Sequence, residues 1–192
     1  MNKHQEQLLI QYTKAGDLDN IQRLVETSIE PININFGSGR SKKTALHWAC
    51  NNDDYNIIIY LLKHKDIAVN QHDNRHGWTP LMWCCQWGKL TTVSLLLKHP
   101  TIDVNFICLK DGDTALLKAI NAKNVKIVSK LLQHPTIDVN QANTNDHLTP
   151  LLKACEQGLN HIVKVLLTHP QLDVTNKALN TAIIEGHFKC VE

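Results

Sequence analysis

The sequence lacks the features that mark nucleic-acid-binding, membrane and exported proteins. The net charge of +2 is small and no run of four or more lysines and arginines occurs, whereas nucleic-acid-binding domains usually carry a basic stripe. No stretch reaches the ~18 uninterrupted apolar residues that a membrane span needs. The N-terminal segment has no apolar core of the kind found in a signal peptide. We therefore expect a cytoplasmic protein that binds neither nucleic acid nor membrane.

The sequence also lacks a catalytic constellation. It has no glycine-rich phosphate-binding loop, no G-x-S-x-G nucleophile motif and no H-E-x-x-H zinc motif. His72, Asp73 and His76 have side chains that can bind a metal, but a single loop would give them poor coordination geometry. We expect that this chain is not an enzyme, holds no cofactor or metal, and has no small-molecule substrate.

What the sequence does contain is a segment that recurs at intervals of 35 residues. It carries a threonine, a leucine two positions later, a pair of leucines and a histidine. The recurring residues are Thr44, Thr79, Thr114 and Thr149; Leu46, Leu81, Leu116 and Leu151; Leu61-Leu62, Leu96-Leu97, Leu131-Leu132 and Leu166-Leu167; and His64, His99, His134 and His169. A fixed period of roughly 20 to 50 residues is typical of stacked units that cannot bury their apolar faces alone, so the sequence predicts a solenoid.

Each copy predicts two short helices. Thr79 can cap a first, inner helix that has Pro80 at its first position and stops at Gly88, since glycine readily adopts the left-handed conformation. A second, outer helix over residues 90–98 ends before Pro100. Isolated helices shorter than about 12 to 15 residues are marginally stable in water. These helices are therefore expected to depend on stacking.

The copies resemble the ankyrin repeat. In the best copy the resemblance is carried by Thr79-Pro80-Leu81, Gly88, Leu96-Leu97 and Asp103-Val104-Asn105. The other copies have Thr44-Ala45-Leu46-His47, Thr114-Ala115-Leu116 and Thr149-Pro150-Leu151. The resemblance covers nearly the whole chain, and it implies an all-α solenoid of stacked helix-turn-helix units with hairpin-like fingers between them.

The fingers are expected to differ from one another. Two of them end in Gly77 and Gly112, and glycine suits a turn that needs a positive φ. Lys42 and His147 stand where the resemblance implies this glycine. We therefore expect irregular fingers at those two places.

The spacing also predicts where each repeat begins and ends. The expected ranges are an N-terminal capping repeat with an extended finger at 1–39, repeats at 40–74, 75–109, 110–144 and 145–175, and a shortened, truncated repeat at 176–192. The last copy stops before its paired leucines, so it would leave an apolar face uncovered. We therefore expect the chain to be the N-terminal part of a longer protein.

Cysteines and histidines recur at fixed positions and are interpreted as structural. Cys50, Cys85 and Cys155 share the small-residue position of the inner helix, so we expect buried thiols rather than disulfides or a zinc site. A histidine ends each outer helix, where it is expected to bond free backbone carbonyl groups. His47 stands where the resemblance implies a histidine that ties loops together.

The four tryptophans decide the functional interpretation. Trp48 and Trp83 share one position on the inner helices, and we interpret them mainly as core residues, with exposure in a binding groove as the alternative. Trp87 directly precedes Gly88, and Trp78 lies at the base of a finger. The resemblance implies partner binding at those positions, where exposed tryptophans would act as rigid anchors. Partial burial by neighbouring repeats is the alternative for both.

The sequence thus predicts a non-catalytic protein–protein interaction module that binds a partner protein through its concave inner-helix and finger surface. The expected partner-binding residues are Trp78, Trp87, Arg75, His76, Gln86, Asn51, Asn52 and Lys43. Lys43 and Arg75 would place positive charge beside the rings, which a partner with an acidic and an apolar residue would fit. The alternative function is a targeting arm of an enzyme or of a secreted bacterial effector acting in a host cytosol, with its catalytic domain beyond residue 192.

Overall fold

The computed structural model describes residues 3–174, and this part of the chain contains ten helices and no strand. The helices are α1 (Lys3–Ala15), α2 (Leu18–Thr27), α3 (Ala45–Asn52), α4 (Tyr55–Leu62), α5 (Pro80–Gln86), α6 (Leu90–Leu96), α7 (Ala115–Asn121), α8 (Val125–Leu132), α9 (Pro150–Glu156) and α10 (Asn160–Leu166). The predicted all-α class is confirmed. The helices fall one pair to each predicted range up to residue 175, and the predicted last repeat at 176–192 lies outside the described residues.

The chain divides into two units, each of which is described by itself. The first contains residues 3–84 and 91–102, and the second contains residues 85–90 and 103–174 of the described chain. In the first unit α1 packs against α2 and α3, and α3 packs against α4. In the second unit α7 packs against α8 and α9, and α10 packs against α8 and α9.

Threonine caps start the inner helices, as predicted. The Thr44, Thr114 and Thr149 hydroxyls each accept a hydrogen bond from the backbone N–H three residues later, and Thr79 Oγ1 accepts from Met82 N at 3.3 Å. Such a cap satisfies one of the N–H groups that a helix start leaves unpaired. The fixed threonine spacing therefore sets the start of each inner helix.

Burial stabilises helices that are too short to persist alone. The outer helices α4 and α8 are eight residues long and bury the same pattern of three apolar side chains. These are Ile57, Ile58 and Leu61 in α4, and Ile127, Val128 and Leu131 in α8. Each such burial contributes roughly 1.5 to 3 kcal/mol, which offsets the marginal stability of a short helix.

A recurring asparagine clamps each loop to the next one within a unit. Asn35 Nδ2 donates to Asp66 O at 2.7 Å, and Asn35 Oδ1 accepts from Ala68 N at 2.8 Å. The second unit repeats the Nδ2 bond from Asn105 to Thr136 O and from Asn140 to Gln171 O, each at 2.7 Å. Because these asparagines recur every 35 residues, the sequence repeat builds a matching series of clamps.

The first finger has a second left-handed residue, Gly39 (φ 64°), that the other three fingers of the described chain lack, so its predicted irregularity is confirmed in part. At Lys42 and His147 themselves no irregularity is found. These residues adopt φ values of 51° and 58°, close to the 76° and 74° of Gly77 and Gly112. The hairpin bond that closes each finger is also kept: Ser38 N donates to Lys43 O at 3.2 Å and Asn143 N to Leu148 O at 3.0 Å. The finger geometry therefore imposes a left-handed conformation on non-glycine residues, at a cost of about 1 kcal/mol each.

The predicted burial of the cysteines is confirmed within residues 3–174. Cys50, Cys84, Cys85, Cys108 and Cys155 are all buried, and none of these five forms a disulfide. Burial raises the pKa of the Cys85 thiol well above its usual value, so this thiol is a packing group rather than a nucleophile.

The histidines that end the outer helices bond differently from the prediction. Each Nδ1 accepts a hydrogen bond from the backbone N–H two residues further along, instead of donating to a helix carbonyl. The four bonds are Asp66 N to His64, Thr101 N to His99, Thr136 N to His134 and Gln171 N to His169, at 3.2 to 3.4 Å. Their role is structural, but it is to shape the turn that follows the helix.

Candidate functional site

The structure places the predicted partner-binding residues in both units. In the first unit Asn51, Asn52 and Arg75 are exposed, whereas Lys43, His76 and Trp78 are half-buried. In the second unit Gln86 is half-buried and Trp87 is 61% exposed. Asn52 is held by a bond from its Nδ2 to Lys14 O at 3.2 Å. Trp87 is thus exposed as predicted, and Trp78 follows the alternative of partial burial.

Three rings of the first unit form one contact group at the base of a finger. The ring centroid of Trp78 lies 4.8 Å from that of His76 and 5.4 Å from that of Trp83. The His76 and Trp83 rings meet edge to face at 5.2 Å. Aromatic pairs at such distances stabilise each other by about 0.5 to 1.5 kcal/mol beyond area burial. The finger and the inner helix α5 are therefore joined by packed rings.

The side chain of Asp73 holds this group of three rings in place through hydrogen bonds. Its carboxylate is fully buried and accepts hydrogen bonds from Trp83 Nε1 at 2.7 Å, His76 N at 2.6 Å and Gly77 N at 3.2 Å. Burial opposes ionisation of Asp73, but the bonds from His76 N–H and Trp83 Nε1–H outweigh it, and the pKa of Asp73 lies below its usual value. Asp73 is therefore an ionised anchor whose oxygens are engaged by the protein itself.

Two lysine ammonium groups lie over indole rings in the same unit. Lys43 Nζ is 3.7 Å from the ring centroid of Trp83 and 5.1 Å from that of Trp48, and Lys14 Nζ is 4.2 Å from the Trp48 centroid. Both distances to Trp48 and the one to Trp83 lie within the range of cation–π attraction. We call Lys14, Trp48, Lys43 and Trp83 the cation–indole ladder. Burial lowers the pKa of the Lys43 ammonium; Asp73 partly opposes this and Arg75 adds to it.

His47 connects the ladder's helix to the finger. Its Nδ1 accepts from Thr44 N at 3.3 Å, and its Nε2 lies 3.1 Å from Trp78 O, to which it donates as the neutral tautomer. Burial lowers the pKa of His47 to about 4, although the bond to Trp78 partly opposes this. The prediction that His47 ties loops together is confirmed, since it joins the cap of α3 to the finger that precedes α5.

The second unit places lysines beside carboxylates instead of rings. Lys118 Nζ, which is buried, lies 2.7 Å from Asp111 Oδ2 and 2.8 Å from Asp113 Oδ2. Asn121 and Asn143 also donate to Asp113, at 3.0 and 2.7 Å. The ammonium charge of Lys118 is therefore paired within this network. No group of three or more histidine, cysteine, aspartate or glutamate side chains in residues 3–174 is placed to hold a metal ion.

Comparison with protein families identifies the family to which the repeated helix pairs belong. The family model for ankyrin repeats matches three overlapping segments, at residues 8–108, 68–143 and 102–178. The chain belongs to the ankyrin repeat family. Ankyrin repeats are generally non-catalytic protein–protein interaction modules. The comparison with curated proteins finds no match, and none of the helices within residues 3–174 is long and apolar enough to cross a membrane.

Sequence reasoning missed part of the site in this ankyrin array. Trp48 and Trp83 were expected mainly in the core, but both are half-buried and hold lysines. Lys14 was not among the predicted site residues, because it lies in the atypical first copy, where the 35-residue spacing has no equivalent. Asp73 is ten residues before Trp83, in the preceding predicted repeat, and that spacing indicates a contact only once the finger is folded.

Proposed function

We propose that this ankyrin-repeat chain binds a partner protein through the finger and inner-helix surface around Trp78. In the first unit the proposed partner-binding residues are Trp78, Arg75, His76, Lys43, Asn51 and Asn52, and in the second unit, taken by itself, they are Gln86 and Trp87. Tryptophan and arginine are enriched among residues that dominate interface energies. The mechanism is association without a chemical step.

The observation that carries the proposal is the half-exposed group of rings at Trp78, His76 and Trp83. A purely structural group of this size would be expected in the core, where Leu81 and Met82 of the same helix are fully buried. Instead, the rings are fixed from within by Asp73 and keep part of their surface in solvent. A rigid, partly exposed aromatic surface loses little entropy on binding, because its side chains are already ordered.

The test uses the whole chain as bait for interacting proteins and then compares variants with one identified partner. A Trp78→Ala/Trp87→Ala double variant is expected to bind that partner with an affinity lower by about 100-fold or more, because two aromatic anchors are lost. Tyr55→Ala is the matched control, since Tyr55 is an aromatic residue on α4 that is 40% exposed. Circular dichroism checks that all variants keep their helices.

Equal affinity of the wild type and the double variant for the partner would contradict the proposed surface. A loss that is as large in Tyr55→Ala would instead point to the outer helices. Isothermal titration calorimetry gives both affinities on one scale.

We also propose that the chain acts in a cytoplasmic compartment. Its support is the set of five buried thiols, none of which forms a disulfide, because persistent disulfides are typical of oxidising compartments. Fractionation of cells that express the natural protein tests this, and recovery in the extracellular medium alone would contradict it.

A further inference from the structure

The two lysines of the cation–indole ladder are ordered but not neutralised. Neither Lys14 Nζ nor Lys43 Nζ has a hydrogen bond or an ion pair to a protein group in residues 3–174. Both are held by the indole contacts, and Lys43 is also attracted, at longer range, by the Asp73 carboxylate. By contrast, Lys118 and Lys153 of the second unit are paired with Asp111, Asp113 and Asp146. The ladder therefore presents ammonium groups whose N–H donors are still available.

The two ammonium groups lie close enough together for one short segment of a partner to contact both. Since each contacts the Trp48 ring, at 4.2 and 5.1 Å from its centroid, their separation is at most about 9 Å. Side chains at alternate positions of an extended segment are about 7 Å apart, and those one helical turn apart are closer still. Two carboxylates of one partner segment can therefore reach both lysines.

The surroundings of the ladder favour an anion over a cation. Arg40, Lys42 and Arg75 on the neighbouring fingers are exposed, whereas the Asp73 carboxylate is buried and accepts three hydrogen bonds from its own unit. A foreign cation would meet indole faces already covered by Lys14 and Lys43. An anion would meet the ammonium groups of Lys14 and Lys43, which form no ion pair within residues 3–174, so charge complementarity selects it.

We propose that the partner contributes an acidic segment, in which two carboxylates pair with Lys14 and Lys43 while a neighbouring apolar side chain packs on the Trp78 and Trp83 rings. This inference rests on the proposed function and specifies the chemistry of the partner. The indole contacts hold the lysines in place before binding, so less side-chain entropy is lost than for free lysines.

The test begins with a library of random linear peptides selected against the full chain. We expect enriched peptides to carry two acidic residues with an apolar residue beside them. One such peptide, labelled with fluorescein, is then titrated by anisotropy with the wild type and with Lys14→Gln/Lys43→Gln. We expect this variant to bind at least about tenfold more weakly, and the wild-type affinity to fall steeply with added salt.

The matched control is Lys63→Gln/Lys98→Gln, which removes the same charge from two exposed lysines of the same unit that lie outside the ladder. It is expected to change the affinity by no more than about twofold, because charges remote from the contact are screened. A peptide with its acidic residues changed to amides is expected to lose binding to the wild type.

Three results would overturn the inference: a selection that enriches neutral or basic peptides, a ladder variant that binds as tightly as the wild type, and a selection that yields no binder. The first two leave the proposed function standing if Trp78→Ala/Trp87→Ala still abolishes the same binding. If that tryptophan variant also binds unchanged, the proposed surface fails as well.

Discussion

Equivalent positions of the two units make the same contacts with different chemistry. His76 and Trp83, seven residues apart, meet as rings at 5.2 Å in the first unit. One repeat length later, Asp111 and Lys118 meet as an ion pair at 2.7 Å in the second unit. The repeat thus fixes which positions touch, and the residue types at those positions decide whether the contact is aromatic or ionic.

A second pair of positions shows the same substitution. Lys43 and Trp48, five residues apart, are in cation–π contact at 5.1 Å, and Asp113 and Lys118 form an ion pair at 2.8 Å. The indole contact leaves the ammonium charge unpaired, whereas the carboxylate contact neutralises it. The same repeat backbone can therefore place a lysine ammonium against an indole ring, without an ion pair, or against a carboxylate that pairs with it. The predictions below test this difference.

The largest effect is expected from removing the buried lysine of the second unit. Lys118→Met would leave Asp113, whose side chain is only 8% exposed, without its cation, and breaking a buried pair costs about 4 kcal/mol. Urea denaturation followed by circular dichroism measures the change in the free energy of unfolding. Lys43→Met is the contrasting variant and should cost less than about 1 kcal/mol, because only a partly exposed cation–π contact is lost. Equal losses would remove the distinction between the units.

The next effect is a loss of stability in acid that originates in the first unit. The pKa of His47 is lowered from 6.5 to about 4 in the folded state, so the unfolded chain takes up this proton first as the pH falls. The stabilisation is present above pH 6.5 and is lost progressively as the pH falls toward 4, by about 3 kcal/mol in total.

The control for this acid effect is His47→Leu, which installs the residue type found at Leu117 and Leu152 of the second unit. Its free energy of unfolding should lack the part of the pH dependence that is due to His47. If wild type and variant lose stability in parallel between pH 6.5 and 4, His47 is not the cause.

A smaller effect is expected from removing the indole N–H that binds Asp73. Trp83→Phe keeps an aromatic ring but deletes the 2.7 Å bond to the buried carboxylate, which costs about 2 kcal/mol. The pKa of Asp73 should rise, as an NMR titration of its side chain can measure. Trp87→Phe, at a side chain that is 61% exposed, should change stability by less than about 0.5 kcal/mol.

The smallest effect is expected at the more exposed ion pair of the second unit. Lys153 Nζ lies 2.9 Å from Asp146 Oδ2, with side chains that are 19% and 38% exposed. Lys153→Met should cost about 0.5 kcal/mol at low salt and almost nothing in 1 M salt, where screening is strong. A cost as large as that of Lys118→Met would show that burial does not set the strength of these pairs.

Most of the fold could be predicted from the sequence because its determinants are local and repeated. Threonine caps act within four residues, and the paired leucines recur at one spacing, so the helix pairs follow from periodicity. The error at Lys42 and His147 has a physical cause. At a left-handed position glycine is preferred over another residue by only about 1 kcal/mol. The hairpin bond and the packing of the finger outweigh this preference.

The candidate site was less predictable because it depends on contacts between copies. Lys14 reaches Trp48 from the preceding helix pair, and no pattern within one copy encodes that approach. Lys43 was predicted to bind a partner from its position on the finger, but its place between two indoles follows only from folding. The exposure of Trp87, in contrast, could be predicted because the equivalent positions carry Asn52, Ala122 and Gln157, none of which is a large apolar residue.

The asparagine clamps have a consequence for how such a chain can change in length. Each clamp joins an asparagine to a carbonyl 31 residues later, as in Asn70 to Thr101 and Asn140 to Gln171. The bond therefore involves only adjacent copies and does not depend on how many copies the array contains. A gene duplication or deletion of one 35-residue repeat would leave every remaining clamp with an equivalent partner. The array can therefore gain or lose whole repeats without needing new kinds of contact.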